Sequence, residues 1–401
     1  MGKVVKVIDS LMGSGKTTWA INMMNAADSD KRFIFVTPFL DEVNRIITSV
    51  TNRQFMQPNY SSGGRKLNSL KRLLERGENV ATTHSLFSQL DDEALALIAD
   101  NEYTLVLDEI VTPFVITHFE MSDIRTLLEV EYIRIDDESG KIIWTDERKL
   151  YEQGRYSDIK KAAQAGTLYF LADNYLVNAI DSRLFTAFKE CFVMTYMFDC
   201  SLLRYYFDIN TIDYEIMSIN DGELVPHYIE DRRKYRELIR IYDGDYNDMG
   251  NEKSSFCRSW LDRQSHSEIK GIKNKLYSYV KHQAKAKSDE VIWTCLKDYK
   301  PKLEGKGFTK GYLPVNARAT NKYGDRNVVM YCYSRYLSPY ELQFFYKNNV
   351  NIDDDKLNKL ALSDMLQFIW RSAIRRGNPI NVYVPSKRMR TLLMQWLNGE
   401  I

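Results

Sequence analysis

Residues 4–18, V-V-K-V-I-D-S-L-M-G-S-G-K-T-T, decide the fold. Residues 4–8 form an apolar run of buried-strand length, 9–15 a loop, and 16–27 a stretch of helix length. Glycines in such a loop let successive backbone N–H groups turn toward an anion, and the helix N-terminus adds partial positive charge. This is the Walker A arrangement. Gly13, Ser14, Gly15, Lys16, Thr17 and Thr18 are expected to cradle a nucleoside triphosphate, ATP, with Lys16 reaching the β- and γ-phosphates and the Thr17 hydroxyl on Mg²⁺. The first position of the strict pattern is Ser10 rather than Gly. A plain Gly-rich turn before a helix is the alternative, and strand, loop, G-S-G-K-T-T and helix together weigh against it.

On either side of this stretch, strand-length apolar runs alternate with helix-length amphipathic stretches, the rhythm of an α/β protein with a largely parallel sheet. Further strands are expected at 32–37, 80–83, 104–107 and 191–196, a helix at 41–50 and a polar loop at 59–65. Residues 122–189 read as a small insertion in the first domain. Alternating residues at 211–219 suggest a connector or edge strands. The boundary is therefore placed at 210/211, giving a domain 1–210 and a domain 211–401. In the second, 255–286 reads as helical, 291–295, 327–333 and 380–384 as strands, 357–376 as one long helix and 388–397 as a closing helix.

Composition sets the outer bounds. The 401 residues suffice for two domains, and 44% apolar with 12% aromatic residues exclude a wholly disordered chain. A formal charge of +1 means that any phosphate-binding surface must be local. The five cysteines, Cys191, Cys200, Cys257, Cys295 and Cys332, are scattered, as in a reduced cytoplasmic protein. No run reaches transmembrane length, and no membrane partner is expected. The expected location is the cytoplasm, the host's if the source is viral. Met1-Gly2 lacks the hydroxyl that a myristoylation signal needs, since Lys6 stands there.

A second motif completes the phosphate chemistry. Leu105-Val106-Leu107-Asp108-Glu109 is an apolar strand ending in two acids, a Walker B. Asp108 is expected to hold Mg²⁺, and Glu109 to orient and activate the attacking water. Apolar strands ending in acids are common; downstream of a Walker A the pattern gains its meaning. The paired acids favour hydrolysis over transfer to a small metabolite.

With these two motifs the chain resembles superfamily 2 helicases of the DExD/H type, in a compact, phage-like form. The family's A-x-x-G-x-G-K-T fits Ser10, Gly13, Gly15, Lys16 and Thr17, and Asp108-Glu109-Ile110-Val111 stands where the family has D-E-x-D/H, with Val111 departing from it. The resemblance implies two RecA-like P-loop domains with mainly parallel sheets. Phe35-Val36-Thr37-Pro38, with Glu42 and Arg45 beyond, and Val80-Ala81-Thr82-Thr83-His84-Ser85-Leu86-Phe87 resemble stretches that touch the nucleic-acid backbone. They imply contacts from Thr37, Pro38, Arg45, Thr83 and His84; ordinary strand-to-helix turns with Thr as N-cap are the alternative. Val193-Met194-Thr195-Tyr196 resembles the coupling motif, with Thr195 as the matching hydroxyl. No adenine-reading Gln motif precedes the P-loop, which argues against a DEAD-box member.

In the second half, Gln367-Phe368-Ile369-Trp370-Arg371-Ser372-Ala373-Ile374-Arg375-Arg376-Gly377 resembles the family's Q-x-x-G-R-x-G-R, with Trp370 in place of the first Gly. On one continuous helix Gln367, Arg371 and Arg375 would share a face. Such a face suits a γ-phosphate, with Arg371 and Arg375 as arginine fingers and Gln367 beside the phosphate or water. A solvated basic helix face is the alternative. Ala317-Arg318-Ala319-Thr320-Asn321 resembles A-R-G-x-D/N, implying phosphate contacts from Arg318 and Thr320 and an approach of Asn321 to the nucleotide.

The resemblance implies a nucleic-acid-dependent ATPase or helicase that translocates on or unwinds DNA, single-stranded or branched, with RNA left open. The compactness of the chain suggests a viral replication or recombination role, with proteins of those processes as expected partners. Two rivals stand beside it: a terminase-like packaging ATPase, whose second half would need clustered acids for two metals, and a remodelling ATPase that does not unwind. Asp353-Asp354-Asp355 is the tight acidic cluster downstream, and it reads better as a helix N-terminus.

Overall fold

The apolar runs pair as parallel strands buried on both faces, the behaviour of a sheet covered by helices on each side. A computed structural model describes residues 4–60, 66–117, 120–146, 154–172, 175–315 and 323–401. The chain divides into two units: Met1–Ser10, Gly15–His227 and Leu337–Asp353 form the first, and Leu11–Ser14, Tyr228–Tyr336 and Asp354–Ile401 the second.

The first unit contains β1 (Val5–Asp9), β2 (Phe33–Thr37), β3 (Phe55–Met56), β4 (Asn79–Thr83) and β5 (Thr104–Asp108). There follow β6 (Phe114–Thr117), β7 (Ile133–Ile135), β8 (Ile142–Trp144), β9 (Leu168–Ala172) and β10 (Tyr175–Ala179), then β11 (Glu190–Thr195), β12 (Tyr214–Asn220) and β13 (Glu223–Pro226). The main sheet runs β13-β12-β1-β11-β5-β2-β4-β3, parallel except for the edge pair β12–β13. Parallel strands send their C-terminal ends to one edge, where open α/β sheets bind ligands. One face is sealed by Ile8, Phe33, Phe35, Ala81, Val106 and Met194, packed against Trp19, Ala20 and Met24 of the helix Lys16–Ala26. β12 and β13 lie beyond the boundary expected at 210/211 and still hydrogen-bond into this sheet, β12 directly beside β1.

The insertion starts at β6. Its sheet, β6-β10-β9, is antiparallel, and β7–β8 form a separate pair. Ile124, Leu127, Ile133, Ile142, Ile159 and Leu168 give it a core of its own. The helix Pro339–Lys347, from far along the chain, also belongs to this unit. Phe344 and Phe345 pack on Phe114 with ring centroids 5.3 and 5.1 Å away, and the Lys347 ammonium donates to the Leu171 carbonyl at 2.9 Å.

The second unit is built on β14 (Ile239–Ile241), β15 (Val291–Cys295), β16 (Val328–Cys332) and β17 (Ile380–Tyr383), all parallel in the order β14-β17-β16-β15. Trp293, Met330, Cys332 and Tyr383 meet Leu276, Tyr279 and Phe308 in its core. The stretch expected as helical at 255–286 breaks after Asp262, because Ser265 and Glu268 form a reciprocal cap that starts a new helix, His266–Ser278. The molecule is α/β with mainly parallel sheets, as expected. Among the described residues no helix is long and apolar enough to cross a membrane.

Candidate nucleotide-binding site

β1 delivers the chain into the Gly-rich loop at the C-terminal edge of the first sheet. Gly13 and Gly15 adopt φ of 87° and 90°, which side chains rarely tolerate, and no atom beyond their neighbours lies within 4 Å of where a Cβ would stand. Helix Lys16–Ala26 begins at Gly15 with no side-chain cap. Its first N–H groups are therefore of the kind that satisfy an anion. Lys16 is buried and its ammonium donates to the Ser10 carbonyl. The Ser14 hydroxyl is buried without a hydrogen-bond partner among the described residues, Thr17 is half-buried and Thr18 exposed. Open space before left-handed glycines, uncapped amides and an orphaned hydroxyl fit a phosphate chain.

The acid pair closes β5, two strands from β1. Asp108 is buried, and burial first, then the neighbouring Glu109, push its carboxyl up to about 7, against the pull of Lys16. Glu109 sits in the left-handed region at φ 63°, an unusual backbone for a residue with a side chain. Its N–H donates to the Met194 carbonyl at 3.0 Å. From the other side, His84 Nε2 donates to the Asp108 carbonyl at 2.9 Å. The acids' backbone is thus held by β11 on one side and, on the other, by a side chain that follows β4.

Between β1 and β5 lies β11, ending at Thr195, whose buried hydroxyl has no partner among the described residues. Its end is bolted to the P-loop strand: the Ser10 N–H donates to the Thr195 carbonyl at 3.1 Å, and the Asp9 carboxylate accepts from the Met197 and Phe198 N–H groups, both at 2.8 Å. Burial raises the Asp9 carboxyl, while those two bonds, His227 and Lys16 oppose it. On its other flank the Asp9 carbonyl accepts from Ser218 Oγ at 3.0 Å, and Ser10 Oγ accepts from the Ile219 N–H at 2.9 Å. Ser218 Oγ also lies 3.0 Å from His227 Nδ1. Sequence reasoning passed over Asp9 and Ser218; a charged residue closing an apolar strand was the available signal.

The residues expected on nucleic acid divide. Pro38 and Thr83 are half-buried at the ends of β2 and β4. Thr37 is wholly buried with an unpartnered hydroxyl, so it presents no surface to a phosphate. Arg45 pairs with the buried Glu42 at 2.9 Å, and His84 is engaged with the Asp108 carbonyl as above. Arg318, Thr320 and Asn321 lie outside the described residues.

In the second unit the long helix expected over 357–376 ends at Ile369. Arg371 and Ser372 take i−3 hydrogen bonds, Ser372 is extended, and the Ala373 N–H is captured by the Arg326 carbonyl at 2.8 Å. A short 3₁₀ turn, Ala373–Arg376, follows. Gln367, Arg371 and Arg375 therefore do not share one helical face. The Gln367 amide lies 3.4 Å from Ser363 Oγ; Arg371 is buried and donates to the Val315 carbonyl at 3.3 Å; Arg375 is exposed, and Arg376 pairs with Asp325. Trp370, where the resembling motif has Gly, fills an aromatic cluster with Tyr235 and Trp396 at 5.1 and 5.5 Å. In the acidic run, Asp354 pairs with Lys253 at 3.0 Å and Asp355 with Lys359 at 2.7 Å, at the start of helix Asp354–Ile369 where acids suit the helix dipole.

Comparison with known proteins places these features in a lineage. The solved structure of S. tokodaii Xpd4 matches at a TM-score of 0.52 with 12% identity, over 98% of this chain and 94% of that one. At such identity the likeness concerns fold alone, and the fold is two RecA-like domains. Residues 116–178 match the YonV middle domain and residues 233–397 the YonV C-terminal Rossmann-like domain. The SPbeta prophage-derived protein YonV of Bacillus subtilis (strain 168) is 39% identical over 412 residues, spanning 99% of each chain. The chain belongs to the YonV family.

Proposed function

We propose that this protein is a nucleic-acid-dependent ATPase of the helicase type, acting on DNA. The observation that carries the reading is the position of β11. Its end is hydrogen-bonded to the P-loop through Ser10 and to the acid pair through Glu109. A change at the phosphates is thereby tied to the Thr195 segment, as a motor requires.

In this reading the loop amides of residues 13–18 bind the triphosphate, and Lys16 exchanges the Ser10 carbonyl for the phosphates. Thr17 and Asp108 would hold Mg²⁺, which would neutralise phosphate charge. Glu109 accepts a proton from the attacking water. Arg375 is the proposed guanidinium for the charge that grows on the γ-phosphate, with Gln367 as a water-orienting amide, while the buried Arg371 braces the turn through the Val315 carbonyl. Pro38, Thr83, Arg318 and Thr320 are proposed contacts to the DNA backbone, and Asn321 to the nucleotide. Phosphate contacts make binding salt-dependent and weakly sequence-specific.

The test is the ATPase rate with single-stranded, duplex and branched DNA and with RNA. DNA should stimulate turnover, and Lys16→Ala should lower it by about 10²–10³-fold, the cost of removing one preorganised charge-stabilising group. Absence of stimulation by every nucleic acid would sink the proposal. A strand-displacement assay separates unwinding from remodelling without it.

A further inference from the structure

We infer that Asp9 is a positioning residue that carries nucleotide occupancy at the P-loop to residues 195–198; this rests on the nucleotide-binding part of the reading above and not on DNA stimulation. Asp9 closes β1 directly before the loop and is only 8% exposed. A carboxylate there is expensive unless hydrogen-bonded, and its bonds go to one place, the turn after β11. The Met197 N–H belongs to a residue in the left-handed region at φ 58°, and the Phe198 N–H opens the 3₁₀ turn Phe198–Cys200. Met197, the residue before that turn, supplies no side-chain cap; Asp9 supplies one from another strand.

The neighbouring peptides give the link its direction. The Ser10 carbonyl accepts the Lys16 ammonium, and the Ser10 N–H binds the Thr195 carbonyl. When Lys16 moves to a phosphate, the Ser10 carbonyl loses its cation. That change falls one peptide from the Thr195 bond and one residue from Asp9. Ser218 and Ile219 bond the Asp9 carbonyl and the Ser10 hydroxyl from the β12 side and do not touch the carboxylate bonds, which run to Met197 and Phe198.

The experiment is hydrogen exchange on the full chain, with Mg²⁺ and a non-hydrolysable ATP analogue, read at residues 11–18 and 195–200. In the parent protein the analogue should slow exchange in both segments. Asp9→Asn has the same shape, but its amide turns an N–H toward one of the two N–H groups. Exchange at 197–198 without nucleotide should then rise about fivefold, the factor for one hydrogen bond of about 1 kcal/mol. The analogue should still protect 11–18 in D9N and no longer alter 195–200. Where D9N does not fold, Asp9→Ser, smaller and able to accept one bond, is read the same way. Ser218→Ala removes the support on the other flank and should leave the response at 195–200 intact. Full transmission in D9N overturns the inference, as does a parent response confined to 11–18. Equal loss in S218A also overturns it, since any loosening of the sheet edge would then suffice. Failure of the analogue to protect 11–18 in the parent sinks the nucleotide reading instead.

Discussion

The phosphate edge of the first sheet and the 367–376 segment of the second unit were read from sequence in the same way, and they behave differently. At the first, Lys16, Asp108 and Glu109 sit where strand, loop and helix periodicity puts them; the Lys16 ammonium is bonded to the Ser10 carbonyl, and the backbone of the acid pair to the Met194 carbonyl and His84. At the second, the spacing of Gln367, Arg371 and Arg375 presumed a continuous helix that stops at Ile369. A Gly-rich loop between strand and helix is a local structure, set by residues adjacent in sequence. A helix terminus buried in a core is set by whatever captures the next N–H, here the Arg326 carbonyl.

That difference separates the two arginines. Arg375 is exposed and has no ion pair among the described residues, whereas Arg371 is buried and bonded to the Val315 carbonyl. The largest effect is expected at Arg375. Arg375→Ala should lower ATP turnover by about 10³-fold or more, the scale of an arginine finger, with thermal stability unchanged within about 0.5 kcal/mol. Full turnover in this variant would remove the second unit from the reaction. Next comes Arg371→Ala, which leaves the Val315 carbonyl without its donor and should cost about 1–3 kcal/mol in denaturant unfolding. A loss of turnover in Arg371→Lys with stability preserved would reverse the assignment and make Arg371 the phosphate ligand.

Much of the fold was legible because the two larger sheets, apart from the β12–β13 edge, are parallel and buried, so their strands read as apolar runs. The P-loop and the Asp108-Glu109 pair were legible for the same reason: each motif is contiguous. Asp9 was not, because its partners Met197 and Phe198 arrive from far along the chain and nothing near Asp9 predicts them. Nor was the place of β12, whose alternating residues suit an edge strand in either domain until pairing with Val5–Ile8 decides it. The helix Pro339–Lys347 shows the same limit, since its phenylalanines find Phe114 only in three dimensions.

The smallest effect tests the first region from within. Thr37 and Thr83 both end strands at the phosphate edge and both looked like backbone contacts. Thr37 is fully buried with an unpartnered hydroxyl, while Thr83 is half-buried. A buried hydroxyl without a partner keeps its desolvation cost, so Thr37→Val, nearly the same shape, should raise stability by about 1 kcal/mol. DNA affinity should stay within about twofold, since no phosphate reaches a buried side chain, whereas Thr83→Ala should weaken binding with its salt dependence unchanged, because a neutral hydroxyl releases no counterion. Melting curves and titrations at two salt concentrations measure both. Weaker DNA binding in Thr37→Val would mean that β2 opens when DNA arrives, and that the buried hydroxyl is held in reserve for that state.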